Sequence, residues 1–260
     1  LENAMDELAE EAGIDPVELR RRNVPDRHPE QDIPYSSRRF IEALDEGAKL
    51  FEWHKRNKTP GSLREGDWLV GHGMAGAARV NILSEAKARV TLCADGTAVV
   101  ETDMTDIGTG TYAILTQIAG DMLGLPASKV ETKLGDTDFP AGPGSGGSWG
   151  ASSAGSAVFL ACEEIRKKLA EQIGSEETDL ALANGRAGTG ESMRSFADIL
   201  DGQDISAIGH IEPGKTLEEW QQATYGSYFA EVAVNAVTGE TRVKRMLGVF
   251  GAGRILNEKT

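Results

Sequence analysis

Cysteine is scarce in this chain, and the two that occur, Cys93 and Cys162, form no C-x-x-C pair. That excludes a cysteine-held iron–sulfur cluster or a zinc knuckle carried by this chain itself. Cys93 falls in a strand-like alternation and Cys162 on the apolar stripe of a helix, so both are expected to be small buried hydrophobes. The four histidines (His28, His54, His72 and His210) are scattered with no H-E-x-x-H spacing, and no metal site built from protein side chains is expected. Basic residues are also in deficit: 27 Lys and Arg against 41 Asp and Glu leave a net charge of −14. A surface of that sign argues against a nucleic-acid or anionic-membrane partner. No apolar run approaches the roughly 18 residues of a membrane span, and no basic-plus-apolar leader opens the chain. The sequence starts at Leu1 inside a helix-like pattern and stops at Thr260 just after a strand-like run. It is therefore expected to be an internal piece of a longer polypeptide, compatible with a cytoplasmic or a periplasmic setting.

What the chain has in quantity is glycine, 31 residues of it, concentrated where it matters. The stretch Asp106-Ile-Gly-Thr-Gly-Thr-Tyr112 and the run Gly142-Pro-Gly-Ser-Gly-Gly-Ser-Trp-Gly-Ala-Ser-Ser153 each lead straight into an amphipathic pattern of helical period. A loop that opens a helix presents unpaired N–H groups at the positive end of the macrodipole, which is how main chain holds an anion. Neither loop contains Lys or Arg, so neutral amides and hydroxyls would do the holding. Trp149 and the tiny side chains Gly150, Ala151, Ser152, Ser153, Ala154 and Gly155 follow the second run, and such a tract lets another body approach the backbone closely.

The surrounding pattern gives the organisation. Ala4, Met5, Leu8, Ala9 and Ala12 share a helical face; Asp15-Pro-Val-Glu18 caps a second short helix; Phe40, Leu44, Ala48 and Phe51 mark a third. Lys58-Thr-Pro-Gly-Ser62 reads as a linker, so a helical connecting segment is expected over 1–60 and an α+β domain over 61–260. From Trp68 the period becomes strand-like, with a hairpin of type I′ expected at Asp95-Gly96 and a second hairpin turning at Thr238-Gly239. Helices are expected from Tyr112 to Met122 and from Val158 to Ile173, a strand over Val130–Leu134, and polar irregular chain with a weak helix near Ser195–Leu200 over 174–215. Without a clean βαβ rhythm, the class is α+β, with mixed and antiparallel sheets and packed helices.

Gly108-Thr-Gly-Thr-Tyr-Ala113 formally fits the dinucleotide fingerprint G-x-G-x-x-[GA]. The polar stretch before it, Glu101-Thr-Asp-Met-Thr-Asp106, does not read as the doubly buried apolar strand of a Rossmann site, and it is the return arm of a hairpin. No Lys-Ser/Thr follows either glycine run, which excludes a P-loop. The plain alternative is that Gly108 and Gly110 only shape a turn and that 142–148 is a surface loop.

Several blocks in order carry a family resemblance. These are Asp106–Tyr112, Leu134-Gly-Asp-Thr-Asp138, Pro143–Ser153, Ala4-Met-Asp-Glu-Leu8, Asp15-Pro-Val-Glu-Leu-Arg20 with Asn23, and Glu231-Val-Ala-Val234 leading to Gly253-Arg-Ile-Leu-Asn257. Together they resemble the large, molybdenum-cofactor-binding subunit of the molybdenum hydroxylases, the xanthine dehydrogenases and aldehyde oxidoreductases, most closely the bacterial aldehyde-oxidising branch. Many members carry Gln where Thr109 stands.

The resemblance implies that Ile107, Gly108, Thr109, Gly110 and Thr111, with Gly147, Ser148, Trp149, Gly150, Ala151 and Ser152, touch a molybdopterin cytosine dinucleotide. It implies [2Fe–2S] clusters and FAD on partner chains or domains, a small aldehyde or N-heterocycle as substrate, and water as oxygen source. The family's catalytic base, a glutamate following a glycine, is expected beyond Thr260; Gly239-Glu240 in a turn and Gly190-Glu191 in a polar loop do not qualify, so no catalytic residue is expected in this chain. Two other readings compete: a non-catalytic cofactor-binding module, and a nicotinamide-dependent dehydrogenase using Gly108 and Gly110.

Overall fold

The computed structural model describes residues 1–190 and 192–255. Glu191, and Leu256 and Asn257 at the end of the Gly253 block, lie outside the described residues. The chain divides into two compact units, one of residues 1–81 with 216–260 and the other of residues 82–215. By compactness, then, the helices of 1–60 belong with strands from both ends of the chain.

In the first unit, helices α1 (Glu2–Glu11), α2 (Pro16–Arg22) and α3 (Phe40–Leu50) accompany an antiparallel sheet. Its strands are β1 (Arg64–Glu65), β2 (Trp68–Val80), β10 (Ala223–Asn235) and β11 (Thr241–Gly251), in that spatial order. Asp15 caps α2 as its spacing predicts, accepting from the amide of Val17 at 2.9 Å with Pro16 in the first turn. Its other oxygen meets Arg56 Nη2 at 2.6 Å, and Trp53 Nε1 donates to the same carboxylate. Burial works against the charged form, but Arg56, Trp53 and the Val17 amide hold the Asp15 carboxyl below its ordinary value. Leu44, Phe51, Trp53, Met74 and Phe229 form the core between α3 and the sheet.

The second unit holds β3 (Ala86–Leu92), β4 (Ala98–Thr102), α4 (Thr111–Leu123), β5 (Val130–Leu134), α5 (Gly150–Ile173), the small strands β6 (Ala181–Ala183), β7 (Arg186–Thr189) and β8 (Ser192–Ser195), α6 (Phe196–Leu200) and β9 (Ile205–Ile211). A four-residue helix, α7 (Thr216–Glu219), belongs to the first unit. The main sheet runs β5-β4-β3-β9, with β4 and β5 parallel and the other neighbours antiparallel. Helices and mixed or antiparallel sheets are thus the α+β class expected from the sequence. Inward residues Val90, Leu92 and Val100 meet Leu115 and Leu123 of α4 and Val158, Cys162, Ile165 and Leu169 of α5 in one core.

Three local expectations need correction. The chain does contain one βαβ unit, β4–α4–β5, hidden because Glu101 and inward-facing Thr102 break the apolar run that a parallel strand is expected to show. The hairpin at Asp95-Gly96 is not type I′: Gly96 alone has positive φ (80°), so a longer loop closes by Cys93 N–H to Thr97 C=O. Residues 174–215, expected to be irregular, hold β9, which pairs with β3 along its whole length. The small residues of β9 concealed it. A Cβ on Gly209 would sit 1.9 Å from the carbonyl oxygen of Ala157, so glycine is what lets α5 lie directly on the strand. Cys162 is fully buried, as expected, whereas Cys93 is only half-buried.

Candidate functional site

Both glycine runs fall in the second unit, and hydrogen bonds hold them side by side. The first leaves β4 at Thr102 and enters α4 at Thr111; the second leads from Pro140 to the start of α5 at Gly150. Asp103 N–H donates to Pro140 C=O at 2.9 Å, and the Asp103 carboxylate accepts from the amide of Gly142. Thr105 Oγ1 and Ser145 Oγ are 2.8 Å apart, and the Ser145 hydroxyl also reaches the Thr105 carbonyl at 2.6 Å. Buried Met104 lies between the runs: a Cβ on Gly142 or on Gly150 would clash with it at 2.8 and 2.3 Å. Further along, Ile118 touches Gly155 and Arg166 donates to the Met122 carbonyl, so α4 and α5 lie side by side and run in the same direction. The two helix entrances therefore open on the same end of the unit.

The entrances differ in chemistry. At the first, the Asp106 side chain folds back over its own loop and accepts from Gly108 N–H at 2.7 Å, Thr109 N–H at 2.9 Å and, more weakly, Tyr112 N–H at 3.5 Å. Desolvation opposes the charge, but the amides of Gly108, Tyr112, Thr109 and Gly110 hold this carboxyl below its ordinary value. Of the amides this loop was expected to offer an anion, a resident carboxylate already takes those of Gly108 and Thr109. Asp106, which opens the first stretch but was not among the expected cofactor contacts, sits two residues before Gly108 as in an Asx turn. Gly108 (φ 96°) and Gly110 (φ 82°) both need the left-handed region, and a Cβ on either would meet nothing within 4 Å. Thr109 and Thr111 hydroxyls lie 3.2 Å apart, while Ile107 is 69% exposed and Tyr112 is 49% exposed.

At the second entrance the indole of Trp149 shapes the loop. Its Nε1 donates to Pro143 C=O at 2.8 Å, and its ring lies on the backbone of Gly146 and Gly147. A Cβ on Gly147 would stand 2.0 Å from that ring, so glycine here makes room for the tryptophan. Ser148 takes a positive φ of 62°. The helix N-cap, Trp149, gives no side-chain cap, and no acceptor for the amides of Gly150, Ala151 and Ser152 is found among the described residues. Ser152 Oγ donates to Trp149 C=O at 2.9 Å, and buried Ser153 accepts from Ser84 N–H at 2.9 Å. No acidic residue lies in the first turn of α5, so no carboxylate of its own helix offsets the positive end of its dipole.

The structure brings all the expected site residues to this one end of the second unit. Thr105, Ser145, Asp103 and Met104, which bind the runs together, carry no signal that sequence alone could have isolated.

The sequence profile described as molybdopterin cofactor-binding domain matches residues 46–260. The chain belongs to that family. This molybdopterin-binding domain is 47% identical over its whole length to the aldehyde oxidoreductase molybdenum-binding subunit PaoC of Escherichia coli K12, and spans 36% of that protein. It is 28% identical, over 99% of its length, to the xanthine dehydrogenase molybdenum-binding subunit of Escherichia coli O157:H7, and spans 37% of it. Its fold matches quinoline 2-oxidoreductase from Pseudomonas putida 86 with a TM-score of 0.69 at 22% identity, covering 95% of this chain and 36% of that one. The chain thus spans little more than a third of the length of these two curated relatives. The domain's open space above Gly108 and Gly110, and its free amides at Gly150–Ser152, fit a large anionic cofactor held by main chain.

Proposed function

We propose that this molybdopterin-binding domain is the part of an aldehyde-oxidising molybdenum hydroxylase that holds the cofactor in its molybdopterin cytosine dinucleotide form. The observation that carries the reading is the pairing of two adjacent helix entrances with unlike charge. Negative Asp106 occupies the first, so Ile107–Thr111 would contact neutral parts of the cofactor through the open side of Gly108 and Gly110, Thr109 and Thr111 hydroxyls and the exposed faces of Ile107 and Tyr112. The second has open amides at Gly150, Ala151 and Ser152, with Gly147, Ser148 and Trp149 shaping its rim, and would take the pyrophosphate.

When bound, the cofactor supplies the two-electron redox chemistry at molybdenum by which a substrate carbon is oxidised with oxygen from water. The chain's own residues orient it. Trp149 fixes the loop that faces it, Asp106 rigidifies the other, and the Thr105–Ser145 and Asp103–Gly142 bonds set the spacing between them. Electrons would leave to [2Fe–2S] and FAD subunits of the same enzyme. The relatives' names favour an aldehyde over an N-heterocycle, since PaoC has the higher identity.

The nicotinamide reading is not favoured. A single parallel strand pair, with β4 also antiparallel to β3, lacks the parallel sheet on which a Rossmann site depends. The deciding experiment is purification of the full-length protein with its partner subunits, followed by molybdenum analysis, identification of the nucleotide released by acid, and assay with aldehydes and N-heterocycles. Stoichiometric molybdenum with CMP and aldehyde turnover supports the reading. Cofactor without any turnover favours the non-catalytic module, and absence of both molybdenum and CMP overturns the proposal.

A further inference from the structure

Away from the glycine runs, the β3–β9 ladder gathers three metal-binding side chains that are distant in sequence. Ala86 pairs with Ile211 and Lys87 with His210, and Glu85 and Glu212 are the next residues on the two chains, just beyond the end of the ladder. His210 Nε2 lies 2.8 Å from Glu85 Oε1 and 3.9 Å from Glu212 Oε1. One ligand atom from each of the three lies within 4.8 Å of the other two. Two carboxylates this close repel, and a cation between them removes that cost. Lys87 lies across from His210, but no ion pair between it and either glutamate is found among the described residues.

We propose that Glu85, His210 and Glu212 bind a divalent transition-metal ion of the Zn2+ class. One imidazole and two carboxylates form the mixed N/O set that such ions take, whereas hard cations favour oxygen alone. Zinc bonds of about 2.0–2.2 Å require donors a little closer together than the widest separation here, a change within rotation of exposed side chains. All three residues are exposed, so water would complete the coordination sphere. The ion would tie β3 to β9 beside Ile211, which lines an open apolar groove of about 430 Å³ with Ile118, Ser152 and Phe159. The site adjoins the start of α5, since Ser84 beside Glu85 donates to Ser153, but none of its three ligands is an expected cofactor contact. Its scattered ligands explain why the sequence, read for histidine spacing, led to no expected metal site.

The test is Zn2+ titration of the chelator-washed protein by calorimetry, alongside a chromophoric-chelator competition. We expect one saturable micromolar equivalent in the wild type that weakens at least tenfold in His210→Ala and in the Glu85→Gln/Glu212→Gln double variant. Lys87→Ala should bind as tightly as the wild type or tighter, since it removes a competing cation. Circular dichroism of each metal-free variant should match the wild type, because the substituted side chains are exposed. No saturable binding in the wild type overturns the proposal, and so does unchanged affinity in both ligand-removing variants.

Discussion

Ser145 Oγ stands 2.8 Å from Thr105 Oγ1 and also donates to the Thr105 carbonyl, so one serine hydroxyl joins two loops whose chain separation is 40 residues. Each loop opens a helix, and the bond fixes the distance between the two entrances. Ser145→Ala should cost the fold about 1 kcal/mol or less, because both groups are exposed and water replaces the lost bond. Cofactor retention should suffer more than stability. Molybdenum content per chain, compared with the thermal midpoint of the same preparation, checks this; a variant that melts earlier but keeps full molybdenum would contradict it.

Trp149 is expected to act through the loop it braces. Trp149→Phe keeps an aromatic ring on Gly146 and Gly147 but loses the 2.8 Å bond to Pro143 C=O, and should cost about 1 kcal/mol with partial cofactor loss. Trp149→Ala removes the ring as well, should cost roughly 2 kcal/mol, and should release the cofactor entirely. Denaturant unfolding and nucleotide release measured on the pair separate the two contributions.

Asp106 is not among the cofactor contacts expected from the sequence, and its replacement has a pH signature. Its folded carboxyl titrates below the ordinary value of 3.8 because loop amides stabilise the charge. Such a group contributes its stability in full above the unfolded value and loses it as pH falls through the folded one. The stability difference between wild type and Asp106→Asn should thus be constant near neutrality and shrink below about pH 4. Asp15 in the first unit has the same sign, through Arg56 at 2.6 Å, so Asp15→Asn should behave alike. Denaturant midpoints at pH 7 and pH 3 test both; a difference that grows on acidification would refute the assignment.

Burial pushes the Cys162 thiol up to about 12, and Cys93 is raised as well. With little thiolate at pH 8, Cys162 should resist iodoacetamide until the second unit unfolds. Cys93, half-buried and hydrogen-bonded near Thr91 and Thr97, should react slowly but first. Mass spectrometry of a timed alkylation reads the order directly.

Much of this was legible in the sequence, and the reasons are local. The Asp15-Pro16 cap, the glycine stops at Gly124 and Gly174, and the apolar spacing of α4 and α5 are signals written within a few residues. The two glycine runs announced themselves as helix entrances for the same reason. What stayed hidden depends on partners far along the chain. Strand β9 reads as loop because Gly209 and Ala207 are small, and they are small because α5 presses on them. The Thr105–Ser145 and Asp103–Gly142 links, and the meeting of Glu85 with His210, come from strand order alone. Asp106 was legible as an Asx turn, but its consequence, a negative charge at one entrance and not the other, needed the geometry.

The central claim is that open amides at the start of α5 hold the anionic part of the cofactor, and Ala151→Asp tests it most directly. A carboxylate in the first turn of a helix favours folding, so the apo domain should melt at the same temperature or slightly higher. The same charge would repel a bound pyrophosphate. We expect molybdenum and CMP to fall at least tenfold relative to the wild-type protein purified in parallel. Wild-type molybdenum and CMP in a well-folded Ala151→Asp protein would contradict the account.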